Sequence, residues 1–261
     1  MSRLLATTGA LAVTGALVAW LSPHVPAAEP WARPLAEAFV IVALLATGWA
    51  APRAGARRGV WLLGLAAMYG MLASLELATM SPLLLGVIVL TVLTTGALVG
   101  AYIGALLEYP AMLMVVAYVA AFADVVSVFH PAGLTAQVMA HPKALALLTV
   151  PFPVLGTDGV ASLVGIGDVT FAALFVTGAR ATGLSVRRTL VALGAALVLV
   201  ALAVELSGAP LPALPFLSAA IVLVHPAARS IPAVHTRRIL ANLAVVTVVL
   251  GGLLISAALR G

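Results

Sequence analysis

No stretch of this chain carries enough charge to make a wet surface, and that fact most limits what it can fold into. Of its 261 residues 64% are hydrophobic and 8% are charged, against about 45–50% and about 25% in soluble globular proteins. A bilayer has to serve as its solvent. A spanning helix needs ~20 mainly apolar residues, and breaks at Pro, Gly and charge clusters predict nine spans. These lie at about 4–22, 35–51, 60–79, 83–107, 110–130, 160–179, 188–207, 212–226 and 239–259. The expected fold is therefore all-α: a polytopic transmembrane helical bundle forming a single membrane domain. It divides into N-terminal helices (1–109), a core (110–226) and an extra C-terminal helix (239–259).

The basic residues support this count. With the N-terminus inside, the inner loops receive Arg3, Arg53, Arg57, Arg58, Arg180, Arg187, Arg188, Arg229, Arg237 and Arg238. The outer side receives only Arg33, Lys143 and Arg260. Such a bias sets orientation in membrane proteins, so a cytoplasmic N-terminus and an outer C-terminus are expected. Residues 1–28 imitate a secretory signal, but an apolar run of about 18 residues exceeds the usual 7–15; an uncleaved first helix is expected. The net charge of +5 comes from 13 basic residues scattered at helix ends, which is not a nucleic-acid footprint. With no cysteine, disulfides, thiolate metal sites and cysteine nucleophiles are excluded. Basic bias and absent cysteine together fit a prokaryotic plasma membrane.

Against this apolar background the aspartates stand out. The chain has three: Asp124 in the fifth span, Asp168 in the sixth, and Asp158 in the loop between them. A charged side chain at the bilayer centre costs ~2.5–3.5 kcal/mol on insertion scales, so intramembrane acids are functional candidates. Spans five and six run antiparallel through one outer loop. Asp124 and Asp168 each lie about six residues from it, so they fall at comparable depth and could meet. Two carboxyls held together cannot both ionise and share a proton. The ionised member can then activate a water while the protonated one polarises a peptide carbonyl, and the pair titrates as a unit.

Asp168 closes the tetrad Gly165-Ile166-Gly167-Asp168. Glycines there permit close backbone approach and an irregular helix start, although small residues in membrane helices also simply mediate packing. Further on, Pro210-Leu211-Pro212-Ala213-Leu214-Pro215 cannot be regular helix. The span it opens is short, which marks backbone packed in protein or lining a cavity.

An Asp in one helix, Gly-x-Gly-Asp opening the next, and Pro-Ala-Leu opening a later one resemble the presenilin and signal peptide peptidase family of intramembrane aspartyl proteases. The resemblance covers about 110–226 and implies a presenilin-like core. It implies Asp124 and Asp168 as the catalytic pair, supported by Gly165, Gly167, Pro212, Ala213 and Leu214. It also implies transmembrane-helix or signal-peptide substrates, with no metal or cofactor. Three departures stand beside it. Ala123 occupies the place of a common family tyrosine, four spans rather than five precede the first Asp, and span 239–259 is additional. The expected orientation matches the signal peptide peptidase sense.

Other chemistries have less behind them. The histidines (His24, His130, His141, His225, His235) show no metal spacing, and no His-Glu-x-x-His or Gly-x-Ser-x-Gly pattern occurs. Glu76 and Glu205 lie near outer ends and read as interfacial, as do Trp20, Trp31, Trp49 and Trp61. A prepilin-peptidase-like protease would share Gly-x-Gly-Asp but not Pro-Ala-Leu. A proton-coupled transporter or a non-catalytic membrane-protein escort would also use buried acids.

Overall fold

The computed structural model describes residues 1–25, 31–51, 81–157, 160–161, 164–231 and 233–258. The expected span 60–79 with Glu76 and Trp61, and also Asp158, Arg53, Arg57, Arg58 and Arg260, lie outside them. In chain order the helices are α1 (Ser2–Leu21), α2 (Ala32–Ala50), α3 (Pro82–Ala105), α4 (Ala111–Phe129), α5 (Leu134–Met139) and α6 (Pro142–Leu148). A two-stranded hairpin follows, β1 (Phe152–Pro153) antiparallel to β2 (Val160–Ala161), and then α7 (Ile166–Ala181), α8 (Val186–Ser207), α9 (Leu214–Val224) and α10 (Ala233–Ala258). The protein is thus predominantly helical. Among the described residues six helices are long and apolar enough to cross a membrane: α1, α2, α3, α4, α8 and, over Ile239–Ser256, α10. Their outer faces carry large apolar side chains open to the surroundings, such as Leu83, Val191, Leu206 and Val248. That surface is compatible with an integral membrane protein.

Two predicted spans are shorter than expected. The stretch 160–179 is not helical throughout: Val160 and Ala161 are strand, and α7 begins only at Ile166, giving 16 residues. The reason lies upstream, where the Val150 amide bonds the Val164 carbonyl at 2.8 Å and Thr149 bridges Gly165; that pairing takes backbone groups a helix would use. The run 212–226 yields an 11-residue helix, roughly 16 Å at 1.5 Å per residue. Its prolines delay the start to Leu214. The loop 131–159 contains α5, α6 and β1.

The chain packs as two compact units, 1–105 with 143–177 and 106–142 with 178–261. In the first, α1 lies along α3. The Thr94 hydroxyl donates to that of Thr8 at 3.1 Å, and Gly86 brings the helices so near that a Cβ there would meet the Ala12 carbonyl at 3.2 Å. Leu4, Ala50, Ala51, Ala97, Leu98, Ala101 and Ala173 form a core from α1, the end of α2, α3 and α7. The closest approach is between α3 and α7. A Cβ on Gly96 would lie 2.9 Å from Val169 Cβ, and one on Gly100 only 2.0 Å from the Thr170 carbonyl oxygen. With Gly104, these follow the small-xxx-small spacing that lets membrane helices touch backbone to backbone.

In the second unit α9 packs between α4 and α8, and α10 lies against α4. The α4–α10 contact includes a 2.6 Å hydrogen bond between the hydroxyls of Tyr118 and Thr247.

Candidate functional site

Asp124 belongs to the second unit and Asp168 to the first. Each has a defined local geometry.

Asp124 lies in the last third of α4 and is half-buried. Its Oδ2 accepts the backbone N–H of Leu214 at 3.0 Å, and the Ala213 amide bonds the same carboxylate. Leu214 is the first residue of α9 and Ala213 its N-cap. The first amides of any helix have no partner within it and point outward with partial positive charge. Ser, Thr, Asn or Asp at the N-cap usually satisfies one of them. Ala213 cannot, so a carboxylate 90 residues away does. Pro212 is buried beside the turn and Pro215 sits within the first turn of α9. The two prolines fix the backbone on either side of the donors. The Pro-Ala-Leu segment and Asp124 are thus neighbours in the structure.

Ala123, in the place of the family tyrosine, is exposed. The nearest tyrosine on α4 is Tyr118, stacked on Phe122 and bonded to Thr247, so its hydroxyl serves the α4–α10 contact.

Asp168 is the third residue of α7 and is also half-buried. Its Oδ2 accepts the Gly165 amide at 2.9 Å. This is the return half of a capping box, an acid at the third helical position reaching back to the N-cap amide. Gly165 and Gly167 have no left-handed backbone requirement. A Cβ on Gly165 would make ordinary contacts, 3.7 Å from Asp168 Oδ2 and 3.8 Å from the Leu148 carbonyl, and one on Gly167 would meet nothing within 4 Å. Gly167 therefore leaves open space beside Asp168, and neither glycine of the tetrad is needed for tight packing.

The approach to Asp168 is braced from within its own unit. Phe152 on β1 stacks on Phe39 of α2, with ring centroids 4.0 Å apart. The Ser22 hydroxyl at the end of α1 reaches the carbonyls of Val154 and Thr157, at 3.2 and 3.1 Å. The hairpin that sets the start of α7 is thereby held by two other helices.

Two features of this framework were missed in reading the sequence. Gly96, Gly100 and Gly104 set the depth at which α7 meets α3, and their four-residue spacing was legible. The buried pair Thr189 and His225, 2.9 Å apart between Oγ1 and Nε2, was not legible, because nothing in a sequence couples residues 36 apart. Among the described residues no cluster of His, Asp or Glu could hold a metal ion. No family model, no curated protein and no solved structure matches the chain.

Proposed function

We propose that this chain is an intramembrane aspartyl endopeptidase, cutting transmembrane segments or signal peptides with Asp124 and Asp168 as its acid–base pair. The observation that carries the reading is the Leu214 amide on Asp124. An Asp in one helix is met by the Pro-Ala-Leu turn of another, the pairing that the resemblance implies. The open space left by Gly167 beside Asp168 adds room for an extended peptide.

In this mechanism the ionised member of the pair removes a proton from water as it attacks the scissile carbonyl, and the protonated member donates to the carbonyl oxygen. The tetrahedral intermediate then collapses, and a proton passes to the leaving nitrogen. The amides of Ala213 and Leu214 would hold the Asp124 carboxylate in one orientation while its other oxygen faces the reaction. The proposed core is presenilin-like, in a prokaryotic plasma membrane, with the N-terminus cytoplasmic and the C-terminus outside.

A second reading is favoured by the same geometry. Each aspartate has a structural task at a helix start, and a membrane-protein escort or proton-coupled transporter could keep both for that reason. Cleavage of a model transmembrane substrate by the purified, detergent-solubilised chain separates them, run beside Asp124→Asn and Asp168→Asn. Asn keeps an acceptor for the capping amides but cannot exchange a proton. Cleavage by the parent and none by either variant is the expected result. An inert parent that also fails to bind a transition-state-mimicking aspartyl protease inhibitor would refute the protease reading.

A further inference from the structure

The second unit gathers arginines at the end where α8 begins, an end that also holds the exposed acid Glu108 just before α4. After Asp168 the chain holds a single carboxylate side chain, Glu205. It lies 17 residues along α8 from Arg188, roughly 25 Å at 1.5 Å per residue.

Arg187 and Arg188 occupy the first turn of α8, where Ser185 caps the Arg188 amide and no acidic residue is present. Cations are poorly placed there, because a helix start already carries partial positive charge. His225, just past the end of α9, is 3% exposed and bonds Thr189 at 2.9 Å, which pins the α9–α10 connection to this same turn. Arg188 is near enough for its charge to act on His225. Arg229 then ends the short 3-10 turn Pro226–Arg229, and Arg237 lies in the first turns of α10. All four arginines are exposed.

Four cations therefore share one end of a group of apolar helices, at the level where hydrocarbon gives way to water. The anions concentrated at that level are phospholipid headgroups. We propose that Arg187, Arg188, Arg229 and Arg237 form a binding site for the phosphate headgroups of anionic phospholipid, bridging the start of α8 to the α9–α10 connection. Guanidinium groups suit this task, because their planar fork bonds two phosphate oxygens at once. The bridge also gives α10, which is almost wholly uncovered by the rest of the protein, an anchor besides the Tyr118–Thr247 bond. The headgroup site is independent of the proteolytic reading and requires only that the helices lie in a bilayer.

The test uses the full chain in a neutral detergent, titrated with phosphatidylglycerol, phosphatidylcholine or inorganic phosphate. Thermal unfolding and lipid retained in native mass spectrometry are the readouts. Phosphatidylglycerol is expected to raise the Tm and remain bound, while phosphatidylcholine does neither. Each Arg→Gln change (R187Q, R188Q, R229Q, R237Q) should weaken retention about fivefold, the equivalent of about 1 kcal/mol per basic residue near an anionic surface. The control Arg3→Gln, in the other unit, should retain lipid as the parent does. Equal responses to both lipids, or a fourfold variant that still prefers phosphatidylglycerol, would overturn the site. A Tm shift produced as well by inorganic phosphate would assign it to a free anion instead of a lipid.

Discussion

Gly100→Ala is the sharpest probe of how the Asp168 helix is seated. The added Cβ would stand 2.0 Å from the Thr170 carbonyl oxygen, 2.8 Å from the Leu174 amide nitrogen and 2.9 Å from Ala173 Cβ. Two of these atoms are backbone, and they are the acceptor and donor of one i to i+4 helix bond, so no rotamer change makes room. Either α7 retreats by more than an ångström or that bond opens. Overpacking of this kind costs about 1–3 kcal/mol, and the rigid neighbours put it at the upper end. Alanine recovers up to ~1 kcal/mol through helix propensity. The net loss is about 2 kcal/mol, on the order of a 30-fold fall in the folded-to-unfolded ratio.

The assay is denaturant titration of the detergent-solubilised chain, followed by circular dichroism, for Gly100→Ala, Gly96→Ala and Gly251→Ala. Gly96→Ala meets a side chain at 2.9 Å and a carbonyl at 3.2 Å, so it should cost less, about 1 kcal/mol. Gly251→Ala meets nothing within 4 Å and should be neutral or slightly stabilising. A Gly100→Ala midpoint equal to the parent's would show that α3 and α7 do not cross at this depth.

Other perturbations follow from single contacts. Asp124→Asn should leave stability nearly unchanged, whereas Asp124→Leu orphans the first amides of α9 and should cost about 1–3 kcal/mol in the same titration; equal stabilities would contradict the capping role. Replacing Leu214 by its α-hydroxy analogue turns one amide into an ester, which removes the Leu214 donor to Asp124 and leaves that of Ala213, while weakening the Ala213 carbonyl as acceptor for Phe216 and Leu217. The expected loss is about 1.5–3 kcal/mol, and no loss in the parent or a full loss in Asp124→Leu would sink the contact. Thr189→Val leaves the buried His225 ring without its partner and should cost about 1–3 kcal/mol; a double-mutant cycle with His225→Phe should show coupling. Tyr118→Phe removes a bond from an exposed contact and should change stability by less than about 1 kcal/mol, with a larger loss showing that α10 depends on it.

Much of this protein was legible in one dimension, because so apolar a chain has few choices. Backbone amides and carbonyls must be satisfied within each segment, so apolar length alone located α1 to α4, α8 and α10. Proline could be read as punctuation at 210–215 because its missing amide acts locally. The tetrad and the Pro-Ala-Leu turn could be read as motifs because their residues are adjacent.

What the sequence could not supply was every decision made by contact between distant segments. The stretch at 160–165 is apolar enough for a helix, yet Val160 and Ala161 pair with Pro153 and Phe152 in a hairpin. Which carboxylate serves the first amides of α9 depends on how α4 packs against it. Whether Gly165 and Gly167 are tight or open depends on neighbours that only folding brings near; here Gly167 is open and Gly165 would make ordinary contacts. His225 stood at the end of a predicted span with nothing to mark a partner, and only folding brings Thr189 within 2.9 Å of it. Local pattern fixes the elements, since periodicity and solvent act residue by residue. Tertiary structure alone decides which polar group answers which, since in an apolar interior each must find a partner wherever the packing puts one.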